Sequence, residues 1–491
     1  MKRLCILVWA WLGMATGWAQ TATSLGAVTA DLELGGMASS ADQLPFWLRA
    51  NQYGIVPLQG PFATLRGGIR REYQTDSNAT RQRRFDWGAG AYGVVNAGAT
   101  KQFWLPELYA KVRYGQVELW AGRRRELYGI GDSTLSSGFV IWSGNALPIP
   151  KVQLQTPNFV PIGGFLKKIL AFRVGYAHGW FNAPYIQGAL FHQKYIYGRF
   201  GKPHWPFKIY AGLNHQVQWG GYADYLLSSP FAVYGRLPSS FQDYVSLVLG
   251  RYPKDLVNNQ QTTFDGENRV GNHIGSIDYA VEWISPRLNT LFYYQHLYED
   301  ASGVVLINFP DGLWGLRVRN RTVGPARRFR WKAAVVEWLS TTNQSGPVFD
   351  QTAQYQGADN YFNHGQYREG WSYFSRTIGT PFIAPRADYT ARVREYIGGG
   401  FFPNNRVNVW YLGLEAAAHQ VQLSARASFS RNYGTFNEPY SPPFEQFSAL
   451  LSAQYSFSHL NHTTLAVSLA YDQGELYPRQ TGGFLSIKKN W

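Results

Sequence analysis

The chain carries few residues at spacings that catalysis or cofactor binding needs. Gly88, Gly90 and Gly93 match the dinucleotide pattern G-x-G-x-x-G, but they lie within an alternating run and open no amphipathic helix, so a strand accounts for them. No G-x-S-x-G, H-E-x-x-H or phosphate-binding P-loop occurs. The ten histidines are scattered, and the acidic residues offer no distinct catalytic pair. The sequence therefore predicts no enzyme, no metal site and no cofactor.

Polar and aromatic side chains are instead concentrated in several short segments that are distant in sequence. Asn, Gln, Asp, His and Arg side chains hydrogen-bond hydroxyls and carboxylates, whereas Trp and Tyr offer flat apolar faces to pyranose rings. Arg123, Arg124 and Arg125 could form bidentate pairs with uronic acid carboxylates. This chemistry suits sugar binding. The segments are residues 44–54, 120–126, 135–138, 143–146 with Pro148 and Pro150, 191–194, 212–215, 219–221, 341–347, 359–364 and 370–371.

The first residues predict export from the cytoplasm. Lys2 and Arg3 precede an apolar run, and small residues follow before Gln20, so residues 1–19 read as a signal peptide cleaved before Gln20. A membrane anchor is the weaker alternative, because the run is shorter than the roughly 20 residues of a spanning helix. The only cysteine is Cys5, within this segment. We therefore expect a mature chain without disulfides or thiolate chemistry.

Composition and charge narrow the class further. Aromatic residues make up 16% of the chain and charged residues only 16%, against a typical charged share of about 25%. No stretch after the signal is apolar enough for a membrane helix, and this combination is typical of outer-membrane barrels. The formal charge of +15 falls to +13 without Lys2 and Arg3. The excess predicts an anionic partner, and for an exported chain this means acidic polysaccharide or lipid phosphates rather than nucleic acid.

Apolar residues alternate with polar ones along most of the chain after residue 60. The run from Phe207 to Val217 and the run from Phe447 to Phe457 are examples, and both have the length of a tilted membrane strand. A soluble β-sandwich would also alternate, but strand length and the terminal Trp491 favour a barrel. We predict an all-β transmembrane antiparallel barrel of about 16–18 strands over residues 61–491. Residues 20–60 are less regular and are expected to form a short helical segment or a periplasmic plug.

Taken in order, the polar-aromatic segments resemble the Wzi family of capsule assembly proteins, in the form common in Bacteroidota. The resemblance runs from about residue 40 to the C-terminus. It implies a monomeric outer-membrane barrel of about 18 strands, occluded by loops and an N-terminal helical segment. It also implies a lectin-like role, in which capsular or exopolysaccharide is bound and organised at the cell surface. The N-terminal region is shorter here than the helical bundle of enterobacterial members, which puts the periplasmic plug in doubt.

The resemblance also suggests that several of the polar-aromatic residues converge into one polysaccharide site. These residues also have structural alternatives. Trp120 and Trp219 could be aromatic residues of the membrane interface, and the arginines could bind lipid phosphates or charges inside the lumen. Asp359 and His364 could serve only to hold a loop that folds into the barrel. Asn145, Gly220 and Gly221 read as turn or packing residues. The predicted site comprises Arg123, Arg124, Arg125, His215, Trp219, Gln344, Asp359, Asn360, His364 and Trp371.

Three functions therefore stay open from sequence, in a fixed order of preference. Binding and assembly of acidic capsular or exopolysaccharide comes first, with outer-membrane lipid and polysaccharide export machinery as further candidate partners. A passive or substrate-selective porin is second. An outer-membrane hydrolase is third, because it needs a nucleophile with a positioned base and the sequence shows none.

Overall fold

Alternating residues form long antiparallel strands, as predicted. The computed structural model describes residues 28–74, 84–164, 169–251, 261–299, 301–322, 329–350, 357–395, 400–460 and 462–491, so the predicted signal peptide lies outside the described residues. The strands are β1 (Val28–Ser39), β2 (Phe62–Arg71), β3 (Phe85–Gly98), β4 (Gln102–Tyr114), β5 (Val117–Arg123), β6 (Lys151–Gln155), β7 (Val160–Pro161), β8 (Leu170–Trp180), β9 (Leu190–Phe200), β10 (Phe207–Trp219), β11 (Asn272–Ile284), β12 (Leu288–Tyr298), β13 (Gly312–Asn320), β14 (Arg330–Ser340), β15 (Ser372–Tyr373), β16 (Arg376–Thr377), β17 (Val407–Ala418), β18 (Val421–Gly434), β19 (Pro439–Phe457), β20 (Thr463–Gly474) and β21 (Gln480–Asn490).

The sheet closes on itself because β1 pairs with β2 on one side and with β21 on the other. β6 and β7 both pair with β8 and share one position in the wall, and β15 and β16 form a separate hairpin. The wall therefore has 18 positions, which confirms the predicted barrel and falls within the predicted strand number. Among the described residues, every position of the wall is paired on both sides, as a membrane requires of a β-structure.

Residue parity separates the lumen from the outer surface. In β3, Phe85 and Trp87 are exposed on the outside, whereas Asp86 and Tyr92 are buried inside. Gly88 and Gly90 also face inward, where the side chains of Lys111 and Tyr109 from β4 occupy the space that a side chain would need. Those glycines are therefore strand residues that make room for neighbouring side chains, as the strand interpretation of the sequence indicated.

The two ends of the barrel differ in their connections. At one end β1 begins, β21 ends and the turns are mostly short, such as residues 115–116 and 419–420; we call this the terminal end. Long loops emerge at the other end, which we call the loop end, at residues 40–61, 124–150, 220–271 and 341–406. The helices of the described residues lie in these connections and in the shorter one at residues 299–311: Phe46–Arg49, Phe241–Leu249, Thr263–Asn268, Ala301–Val304 and Ala391–Glu395, with 3₁₀ turns at Asp224–Leu226 and Arg386–Asp388. None of the helices in the described ranges has the length and hydropathy needed to cross a membrane.

The expected boundary at residue 61 differs from the structure. Val28–Ser39 is the first barrel strand, and only the residues after it leave the wall. Residues 40–61 then enter the lumen from the loop end, which is opposite to the end that a periplasmic plug would occupy. The strand follows the same alternation as the rest of the wall, with Leu32 and Leu34 on the outward parity and Asp31 and Glu33 on the inward one, and Gly35 and Gly36 then interrupt the pattern on both faces.

Candidate functional site

Three segments from the loop end fill the lumen, and we call them together the plug: residues 40–61, 124–150 and 357–395. Their aromatic residues form one hydrophobic core with the inward face of the wall. Trp47 donates from Nε1 to Ser428 Oγ in β18 (3.1 Å), and Tyr411 in β17 donates to the carbonyl of Leu135 (2.6 Å). The lumen is thus filled by side chains that form one continuous core with the wall.

The middle segment of the plug has no regular structure, so its buried backbone needs partners from elsewhere. Wall side chains provide them. Ile130 N donates to Asp278 (3.0 Å), Val140 N donates to Gln295 (3.0 Å), and Ser137 N donates to Glu337 (2.7 Å). These acceptors lie on β11, β12 and β14, and they hold residues 130–140 across the lumen.

The three segments of the plug also bind one another. Trp371 is 0% exposed, and its Nε1 donates to the carbonyl of Ile141 (2.9 Å). Arg49 forms a buried ion pair with Asp388 (2.6 Å), which also pairs with Arg376 (3.2 Å). The plug is therefore a single packed unit.

Gln344, Asp359 and Asn360 do come together, as the resemblance suggested. Asp359 N donates to the carbonyl of Gln344 (3.0 Å), and Asn405 links the side chains of Gln344 and Asn360. Asp311 lies behind them and accepts from the backbone of Gln344 (2.8 Å). Burial raises the pKa of Asp311, although the backbone N–H groups that donate to it act in the opposite direction. The arrangement has the character of a loop anchor.

The three consecutive arginines are directed to partners inside the barrel. Arg124 pairs with Glu118 (2.7 Å), and Arg125 lies 3.9 Å from Glu107 and over the ring of Tyr92. Arg123 reaches the hydroxyl of Tyr373 at 3.4 Å. The structure thus supports the alternative that these arginines meet charges inside the lumen. Trp120 is buried beside them, so it is not an interface aromatic.

His215 and Trp219 do not join the other predicted residues. Both stand on the outward parity of β10, together with the exposed Ile209 and Leu213, whereas Asn214 and Gln216 point into the lumen. They are nevertheless buried, because the helix Phe241–Leu249 covers them. The predicted convergence is therefore wrong for these two, since the barrel wall separates them from the plug.

A surface that the sequence analysis missed lies at the loop end, where residues 222–236 meet residues 364–371 of the plug. The guanidinium of Arg368 lies 4.9 Å from the ring of Tyr225, and that of Arg236 lies 5.7 Å from the ring of Tyr222. Gln366 is buried and joins the two segments by donating to the carbonyl of Phe231 (2.9 Å). Both arginines are exposed, and among the described residues neither forms an ion pair. We call Tyr222, Tyr225, Arg236 and Arg368 the aromatic-arginine face.

One of the predicted residues, His364, adjoins this face through Gln366, whose backbone N donates to His364 Nδ1 and whose carbonyl accepts from Tyr225. His364 is half-buried against Phe264 and Tyr367, whereas Asn360 is exposed and bonded to Asn405. No local sequence pattern marks the face, because its tyrosines and arginines come from two loops that are more than a hundred residues apart. In the described parts of the chain, no group of three or more His, Cys, Asp or Glu side chains is arranged to hold a metal ion.

The fold and the plug define a class: a closed membrane β-barrel whose lumen is occluded by its own loops. Comparison with known proteins narrows it. The family model for the capsule assembly protein Wzi matches residues 51–418, so the chain belongs to that family. It is an outer-membrane protein of the Gram-negative envelope, and its long loops are extracellular. No curated protein sequence matches the chain.

Among solved structures, the chain is similar to Escherichia coli Wzi, with a TM-score of 0.57 and 15% identity over 94% of this chain and 84% of that one. That protein is described as a carbohydrate-binding β-barrel involved in group 1 capsule assembly. Pseudomonas aeruginosa OccK5 aligns with a TM-score of 0.45 and 10% identity, over 95% of this chain and 98% of the other. P. aeruginosa OprD aligns with a TM-score of 0.44 and 11% identity, over 96% and 95%.

Proposed function

We propose that this protein binds acidic capsular or exopolysaccharide at the cell surface and organises it there, without making or breaking bonds. The observation that carries the proposal is the occluded lumen, whose extracellular surface presents the aromatic-arginine face. Family membership supports it, because the family is one of capsule assembly. We further propose that the protein is a monomer and that it acts beside the polysaccharide export machinery.

The packed lumen argues against the porin alternative. A diffusion channel needs a continuous water-filled path, and here the plug places Trp371, Tyr361 and Phe139 in the interior with little or no exposure. Buried wall side chains hold the backbone of residues 130–140 in place. Opening a path would therefore require the loss of many buried contacts at once.

The chemistry of the aromatic-arginine face fits an acidic sugar polymer. A tyrosine ring packs against the apolar face of a pyranose, and a guanidinium binds a carboxylate through two parallel hydrogen bonds. Arg236 and Arg368 are exposed beside such rings, whereas Arg124 and Arg125 already face Glu118 and Glu107. We therefore place acid recognition at the face, keep His364 as a neighbouring contact, and keep the exposed Asn360 as a further candidate contact. Contact of Trp219 and Trp371 with sugar stays a prediction, and their burial favours a packing role.

Binding of defined polymers to the purified protein tests the proposal. Wild type is expected to bind an acidic polysaccharide better than a neutral one of equal length, and more weakly as salt rises, because exposed charges are screened. Arg368→Ala should weaken acidic binding by at least roughly tenfold, since hydrogen bonds between charged groups contribute about 1.5–3 kcal/mol and each 1.4 kcal/mol is about a factor of ten. The matched control is Arg392→Ala, an exposed extracellular arginine that already pairs with Glu475.

Two further measurements separate binding from plug integrity. Trp371→Ala should lower the thermal midpoint, because removing a buried tryptophan costs about 3–5 kcal/mol, whereas Arg368→Ala should leave the midpoint unchanged. Equal binding of acidic and neutral polymers at low salt would contradict the proposal. Steady conductance of the wild type in planar bilayers would favour the porin.

A further inference from the structure

The outward face of β8–β11 changes character along its height. Directly opposed residues of neighbouring strands share a face, and one such row, Val174, Ile196 and Leu213, is exposed and apolar, as lipid contact requires. Nearer the loop end the same face turns polar. The residues there are Tyr176, His178, His192, Lys194, His215 and His273.

Polar side chains that face lipid are costly unless other protein groups cover them. The helix Phe241–Leu249 provides this cover. Tyr244 stacks on Trp219 at 5.3 Å between ring centroids, and its hydroxyl lies 2.7 Å from that of Tyr176. Its ring also contacts His192, and Lys194 Nζ donates to the carbonyl of Val248. One loop has thus folded over the outside of the barrel.

A second loop does the same on the adjacent strands. His296 of β12 points outward but is buried, and its ring nitrogen Nε2 lies 2.8 Å from the carbonyl oxygen of Gly303. Phe309 packs against Trp314 and Tyr294, both on the outer face of the wall. Residues 303–309 therefore continue the cover from β11 towards β13. We call residues 241–249 and 303–309 the outer collar.

The side of the outer collar that points away from the barrel wall is apolar. Phe241, Val245 and Leu249 are spaced four residues apart and form one stripe of the helix, with Phe241 80% and Leu249 54% exposed. The second part exposes five apolar side chains. They are Val304, Val305, Leu306, Ile307 and Phe309. An apolar patch of this kind on an extracellular loop marks a contact surface.

We propose that acyl chains of the outer leaflet cover the outer collar, so that the membrane contacts these two loops as well as the barrel wall. The collar is continuous with the lipid-facing wall, since Trp180 at the top of β8 is also exposed on that face. The helix suits an apolar setting because both its ends are satisfied internally. Ser240 and Asp243 form a reciprocal cap at its start, and Gly250, at a φ of 66°, donates to the carbonyl of Leu247 at its end.

The collar thus extends the apolar belt towards the cell exterior on one side of the barrel. It also separates a row of imidazoles from lipid. This role is independent of polysaccharide binding, because the aromatic-arginine face lies where residues 222–236 meet the plug, whereas the collar lies on the outside of the wall.

Spin labels test the inference directly. The only cysteine is Cys5, within the predicted signal peptide, so single cysteines can be placed in a chain that otherwise has none. Val245→Cys and Val305→Cys would carry a nitroxide in full-length protein reconstituted into phosphatidylcholine vesicles. Ile196→Cys marks the lipid-facing wall, and Gln420→Cys marks a two-residue turn in water. Heat-modifiable migration on a gel verifies that each variant is folded.

The environment of each label is measured from its collision rates with two reagents. One is oxygen, which concentrates in lipid, and the other is a water-soluble nickel chelate. Labels at positions 245 and 305 are expected to collide preferentially with oxygen, with the same ratio as position 196 and a higher ratio than position 420. A ratio like that of position 420 would overturn the proposal. So would exclusion of both reagents together with dipolar broadening between labels, which would show that a second copy of the chain covers the collar.

Discussion

Glu337 is the wall residue through which the plug can be loosened most selectively. Its buried carboxylate accepts hydrogen bonds from Ser136 Oγ (2.7 Å), Ser137 N (2.7 Å) and the hydroxyl of Tyr293. Glu337→Ala leaves three buried donors without an acceptor, and each costs about 1–3 kcal/mol. The docked plug therefore loses at least about 3 kcal/mol of stability relative to the undocked plug, which shifts the equilibrium between the two by roughly a hundredfold.

Single-channel recording in planar bilayers detects this shift. Wild type is expected to stay closed, and Glu337→Ala to show brief openings. Glu337→Gln should fall between them, because the amide retains one acceptor oxygen. Glu415→Ala is the matched control, because Glu415 lies on the neighbouring strand β17, where it lines a small polar recess with Lys332 of β14 and Gln422 of β18. The reasoning fails if Glu337→Ala is folded and as silent as the wild type, or if Glu415→Ala opens equally often.

Two further changes test the internal structure of the plug. Gly370 has a φ of 53°, and a Cβ there would overlap the carbonyl oxygen of Phe362, whereas Gly188 has a φ of 67° but open space around it. Gly370→Ala should therefore lower the thermal midpoint more than Gly188→Ala. Equal shifts for the two variants would show that backbone strain alone matters. Asp388→Ala leaves Arg49 and Arg376 without their shared carboxylate and should lower the free energy of unfolding in denaturant by about 3–5 kcal/mol. Glu445→Ala breaks an exposed pair with Arg431 and should lower it by less than about 1 kcal/mol. Similar losses for both variants would contradict the buried-pair argument.

The arginine cluster shows where sequence reasoning about the site reached its limit. Arg123, Arg124 and Arg125 form the densest positive run among the predicted site residues, yet Glu118 and Glu107 neutralise part of it within the lumen. The cations available to an external polymer, Arg236 and Arg368, are single residues in unremarkable loops. Charge in a sequence does not say which opposite charge will be adjacent after folding.

The class of fold was determined by the sequence itself. A strand exposes alternate residues to opposite sides, so the apolar parity of runs such as Phe207–Leu213 already separates membrane from lumen before any tertiary contact is known. Length of the runs, low charge and the order of the polar-aromatic segments then pointed to a barrel of the capsule assembly family, which the strand order and the family match confirm.

Only the tertiary structure decided what covers each residue. Trp219 and Trp371 are both buried tryptophans in polar-aromatic segments, but the first lies outside the wall beneath the helix Phe241–Leu249, and the second lies inside the plug against Ile141. The direction in which a loop folds, into the lumen or over the outer wall, depends on partners such as Glu337 or Tyr176 that are tens to hundreds of residues away. Periodicity is local to a strand, whereas burial results from contacts between distant segments.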